Sequence, residues 1–114
     1  MYIDSYEFGK MTIGGREYTE DLMVLPSKII PTWQRDDEQH LQLPDIKDSL
    51  DKVQPDAVVI GTGNTGGLEV DKEVIEYLEK KNIELVIENT DKAVNSFNTF
   101  DKQNIHVLGA FHLI

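Results

Sequence analysis

Ala57-Val58-Val59-Ile60-Gly61-Thr62-Gly63-Asn64-Thr65-Gly66-Gly67 is the stretch on which the reading of this chain turns. Ala57 to Ile60 is a continuous apolar run of β-favouring residues without polar alternation, the pattern of a strand covered on both faces inside a parallel sheet. Half of the chain's 8 glycines follow at once, so a tight backbone turn leaves the carboxyl end of that strand.

Downstream, Asp71 stands as a helix N-cap with Glu73 in the first turn. Val74, Ile75 and Leu78 supply an apolar stripe, and Glu76 and Lys80 an i,i+4 pair. Ile83 to Ile87 reads as the next strand, and Thr90 as the cap of a helix carrying Ala93, Val94, Phe97 and Phe100. Ile105 to Phe111 reads as a last strand. Strand, helix, strand, helix, strand with short joints predicts right-handed crossovers and helices packed on a sheet. The three strands are expected in the interior of one sheet, with Ile46, Leu50, Leu78 and Phe97 packed on it.

Upstream, Ile46, Leu50 and Val53 recur at helical spacing between Pro44 and Pro55. Before them lies a polar stretch, Thr32 to Leu43, read as a surface loop. The first third is β in character. Tyr2 to Phe8 partly alternates, Met11-Thr12-Ile13 and Glu17-Tyr18-Thr19 flank the hairpin dipeptide Gly14-Gly15, and Met23 to Leu25 and Ile29-Ile30 sit beside Pro26 and Pro31. The expected fold is a three-layer α/β single domain over residues 1–114: a mixed central sheet, helices packed on it, and an N-terminal antiparallel β portion.

The glycine turn lies where open α/β sheets bind ligands, and its amides would suit an anion or a small polar group. It formally matches G-x-G-x-x-G, with Glu88 near the place of a ribose-binding acid. The match fails in detail. Leu68-Glu69-Val70 delays the helix to Asp71, no Lys follows the glycines as in a phosphate-binding P-loop, and the chain is too short for two mononucleotide halves. What remains is a ligand crevice of Gly61, Thr62, Gly63, Asn64 and Thr65, joined by Asn89, Thr90 and Asn98 from the neighbouring strand and helix. Against it stands a plain turn, with Thr90 as an ordinary helix cap and Asn98 bonded to backbone.

No other pattern carries chemistry. The absence of cysteine removes thiol nucleophiles, disulfides and cysteine-ligated metal sites. Trp33, Arg35 and His40 surround Asp36-Asp37-Glu38 at a spacing that matches no metal motif. This stretch reads as a solvated acidic loop whose Trp33 plugs the core edge or anchors a partner. His106 and His112 read as structural, and none of Ser5, Ser27, Ser49 or Ser96 has a nucleophile-elbow context. No catalytic residue, cofactor or metal is therefore named.

Eleven basic residues against 21 acidic ones give a formal charge of -10. That field repels phosphate backbones and anionic lipid, so neither nucleic acid nor membrane is expected as a partner, whereas basic proteins are favoured. Apolar runs of a few residues cannot span a bilayer. The N-terminal segment from Met1 to Glu7 lacks the marks of a secretory signal, so the expected location is cytoplasmic. Homo-oligomerisation is left open.

Trp33, Arg35 and His40, then Val59 to Gly63, then Thr90, Ala93, Phe97 and Asn98, then Phe111-His112-Leu113 together resemble a small family of domains of unknown function, the Mth938-like domains. Its members include the adipogenesis-associated Mth938 domain-containing protein and mitochondrial complex I assembly factor three. The resemblance spans essentially the whole chain. It implies a three-layer α/β fold around a mixed sheet and, from its eukaryotic members, action through protein interactions. This sequence departs from the pattern in carrying Gln103-Asn104-Ile105 where members tend to have an arginine, and Ile114 where they have Thr-Cys. The expected function is a non-enzymatic protein-interaction or assembly module with a small polar-ligand crevice and a protein partner. The alternative is a small-ligand or anion-binding domain, or an enzyme, using the Gly61 to Gly67 loop.

Overall fold

A computed structural model describes residues 1–114. The chain opens with an antiparallel sheet of β1 (Ile3–Glu7), β2 (Lys10–Ile13) and β3 (Arg16–Tyr18). Gly14 and Gly15 turn the hairpin at φ +59° and +79°, angles that side chains with a Cβ rarely adopt. Then come β4 (Leu22–Val24), β5 (Ile29–Ile30), β6 (His40–Leu41), a 3-10 turn (Leu43–Asp45) and α1 (Lys47–Val53). The α/β portion runs β7 (Ala57–Thr62), β8 (Glu69–Val70), α2 (Lys72–Lys80), β9 (Glu84–Glu88), α3 (Thr90–Lys102) and β10 (Val107–His112).

The main sheet has five strands in the order β5-β4-β10-β7-β9, with β10, β7 and β9 mutually parallel and β4 antiparallel to both its neighbours, β10 and β5. This is the mixed central sheet that the pattern predicts. β7 is buried along its whole length because both its faces are covered. Ala57 and Val59 pack against Ala93, Val94 and Phe97 of α3, and beyond them Ile3, Met11 and Ile13 of the small sheet. Val58 and Ile60 pack on the opposite face against Leu50 of α1, Val74 and Leu78 of α2, and Trp33. Phe97 is 1% exposed and meets Phe111 edge-on, with ring centroids 5.8 Å apart.

Four sequence expectations are corrected. β9 is an edge strand with β7 as its sole neighbour, and Ile87 stands 40% exposed. The apolar run Leu85-Val86-Ile87 fixed a strand but not its rank in the sheet. Ile75 is exposed, because only Val74 and Leu78 lie on the buried stripe of α2. Glu76 pairs with Lys72, at 4.0 Å, rather than with Lys80. The stretch from Thr32 to Leu43 is not wholly surface. Trp33 and Leu41 are buried, the Trp33 indole N–H donates to the Asp45 carbonyl, and His40–Leu41 pairs in parallel with β8.

Candidate functional site

At the carboxyl end of the parallel strands, β7 sends the chain to α2 on one face and β9 sends it to α3 on the other. This is the switch point where a crevice is expected. Here polar groups of the two exits and of the chain end bond to one another. The Gly63 amide donates to the Thr90 hydroxyl (2.9 Å), that hydroxyl donates to the His112 carbonyl (2.6 Å), and the Thr90 amide donates to the Gly63 carbonyl (3.1 Å). The Asn64 amide donates to the Ile114 carbonyl, and the Asn89 side chain donates weakly back to the Asn64 carbonyl (3.4 Å).

The glycines allow this approach. A Cβ on Gly61 would lie 2.8 Å from both Phe111 Cδ1 and Thr90 Oγ1, and one on Gly63, at φ +105°, would lie 2.7 Å from the His112 ring. Thr90 is thus not the helix cap expected of it. Asn89 holds the cap position and Thr90 is the first helical residue, its hydroxyl tying β7 to β10. The Asp71 carboxylate likewise occupies a cap position without capping, and faces His40 Nδ1 at 3.3 Å. Thr62 bonds the Glu88 carbonyl at the same end of the sheet. Asn98 stands apart from this group. Its side-chain amide brackets Ile3, accepting from the Ile3 amide and donating to the Ile3 carbonyl, both at 2.8 Å, as a neighbouring strand would. Of the eight candidate residues, seven gather around the β7 exit and Asn98 holds β1 to α3.

Across His112 lies a different site. Asp21, in the turn before β4, receives three hydrogen bonds: from His112 Nδ1 (2.7 Å) and Arg35 Nη2 (2.8 Å) on one oxygen, and from the Leu113 amide (2.8 Å) on the other. Burial pushes the Asp21 carboxyl up, but these donors outweigh it and hold its pKa below the usual aspartate value. An ionised Asp21 fixes the hydrogen of His112 on Nδ1. The Arg35 guanidinium stacks on the Trp33 indole, 4.6 Å from its centroid, with its side chain 3% exposed. Its Nη2 also donates to the Glu38 carbonyl, while Nε and Nη1 are buried without an acceptor.

These groups line one side of a cavity of about 520 Å³, whose rim carries Thr19, Glu20, Gln34, Asp36 and Glu38. Since the Arg35 charge is balanced by Asp21, the three exposed rim carboxylates of Glu20, Asp36 and Glu38 leave the opening negative. The sequence names Arg35 and His112 but assigns neither to a site, and Asp21 carries no sequence signal at all. A lone aspartate before a strand becomes central only because β4 and β10 are adjacent.

Comparison with known proteins agrees with this fold. Residues 3–112 match the model of a family described as "Protein of unknown function (DUF498/DUF598)". The chain is similar in structure to the conserved hypothetical protein PH1505 from Pyrococcus horikoshii OT3. That match has a TM-score of 0.78 at 22% identity, covering 99% of this chain and 98% of that one. A protein of Bartonella henselae described as an outer membrane protein aligns with a TM-score of 0.80 at 23% identity, over 97% and 92% of the two chains. A Bordetella pertussis protein described as a Mth938-like domain aligns with a TM-score of 0.65 at 12% identity, over 98% and 85%. In this chain no helix is long and apolar enough to cross a membrane.

Proposed function

The chain belongs to the DUF498/DUF598 family of unknown function, and from that premise we propose that it is a non-catalytic interaction module that recognises a positively charged protein partner in the cytoplasm. One observation carries the reading. The cavity beside Asp21, Arg35 and His112 has its internal charge neutralised and its rim set with three exposed carboxylates, so a lysine or arginine side chain is the complementary guest. The formal charge of -10 steers such partners from a distance and turns polyanions away.

The test is a titration with the blocked peptide acetyl-Gly-Lys-Gly-amide, followed by amide chemical shifts. Saturable shifts are expected at Thr19, Gln34 and Glu38, weakening with salt and lost in the triple variant Glu20→Gln, Asp36→Asn, Glu38→Gln. Unchanged binding by the triple variant would remove the cavity from the reading.

A further inference from the structure

The free edge of β9 points to a second docking element, and we propose that it accepts an extended segment of a partner protein with the pattern basic–apolar–apolar–apolar–basic. It rests on the reading of the chain as a module for basic protein partners, and adds the conformation in which such a partner binds.

The parallel register places Glu84, Val86 and Glu88 opposite Ala57, Val59 and Gly61, and the Glu84 amide bonds toward β7, to the Asp56 carbonyl. Backbone groups alternate in direction along a strand, so those of Leu85 and Ile87 face away from β7. No strand lies beyond β9. Two N–H and two C=O groups are therefore presented on an edge of β-favouring residues, and Ile87 adds an apolar side chain that is 40% exposed. Such an edge is a template for strand addition.

The side chains decide what is added. A second copy of β9 pairing antiparallel through Leu85 and Ile87 would set Val86 against Val86 and Glu84 against Glu88 twice, placing like charges directly opposite. Pairing with itself is thereby disfavoured. The same register with lysine or arginine opposite Glu84 and Glu88 turns both repulsions into attractions, and apolar residues opposite Leu85, Val86 and Ile87 extend the two cores.

The probe is the acetylated, amidated peptide Lys-Val-Ile-Val-Lys, titrated at low salt against the whole chain with amide shifts and hydrogen exchange as readouts. Binding should shift and protect the amides of Leu85 and Ile87. N-methylation of both valines, which removes the two donors aimed at β9, should weaken binding by at least about tenfold. N-methylation of the central isoleucine, whose N–H points away, should leave binding intact. Glu84→Lys should weaken binding of this peptide and favour Lys-Val-Ile-Val-Glu, whose C-terminal glutamate lies opposite position 84 in the antiparallel register, with a thermal melt verifying that the variant is folded. Equal perturbation of Leu85 and Ile87 by the doubly N-methylated peptide, or none by the parent, overturns the proposal. Shifts confined to Thr19, Gln34 and Glu38 overturn it while leaving the cavity reading standing, and shifts confined to β9 do the reverse.

Discussion

His112 stands between two loops that treat polar groups in opposite ways. On one side the glycine turn after β7 is neutral, and the amides of Gly63 and Asn64 are taken by Thr90 and Ile114. On the other, the acidic loop buries a charged Arg35 against Trp33 and leaves two of its nitrogens without an acceptor. The sequence leaves the glycine loop open between a ligand crevice and a plain turn. It reads Asp36-Asp37-Glu38 as solvated surface, which these three exposed residues are, without giving Arg35 beside them a buried place. Composition reports what a backbone is free to do, whereas proximity decides whether that freedom serves packing or binding.

The comparison breaks most sharply at Asp21. Asp21→Ala removes the acceptor of His112 and Leu113 and leaves the Arg35 charge buried and unpaired, for an expected loss of about 3–5 kcal/mol in chemical denaturation. A carboxyl whose folded pKa is depressed contributes stability that is present above its unfolded value and lost as pH falls through the folded one. Wild-type stability should therefore decline below about pH 4, and the decline should be shallower in Asp21→Asn. A variant with undiminished stability would mean that the buried arginine does not depend on this partner.

Thr90→Val tests the other side of His112. It preserves shape but strands the Gly63 amide and the His112 carbonyl, at a cost of about 1–3 kcal/mol, with faster hydrogen exchange at Gly63. A neutral result would mean that the hydroxyl is not the tie between the strands.

The smallest effect sharpens the contrast within one loop. Gly67→Ala meets nothing within 4 Å and should stay within about 0.5 kcal/mol of wild type. Gly63→Ala, at φ +105° with the His112 ring 2.7 Å from its Cβ, should lose about 1–3 kcal/mol. Equal effects at the two positions would contradict the account of why the glycines are there.

How much was legible follows from the range of the interaction concerned. The hairpin at Gly14-Gly15, the helix stripes of Val74 and Leu78 and of Ala93, Val94 and Phe97, and the buried run Ala57 to Ile60 all rest on neighbours within a turn or two along the chain. The sequence alone therefore determined the α/β class, the order of the main strands and helices, and the main core, but not the short β6 and β8 pair. The seven residues near the β7 exit were also legible as neighbours, because adjacent parallel strands bring their carboxyl-end loops together. That Thr90 occupies their centre was not, since a threonine before a helix carries the same signature whether it caps or reaches across. Only the tertiary structure put β9 at the edge, turned Asn98 toward Ile3, and joined Asp21, Arg35 and His112, whose extremes are 91 residues apart. Strand rank, burial of charge and long-range hydrogen bonds depend on which surfaces the finished sheet brings together, and no local pattern encodes that.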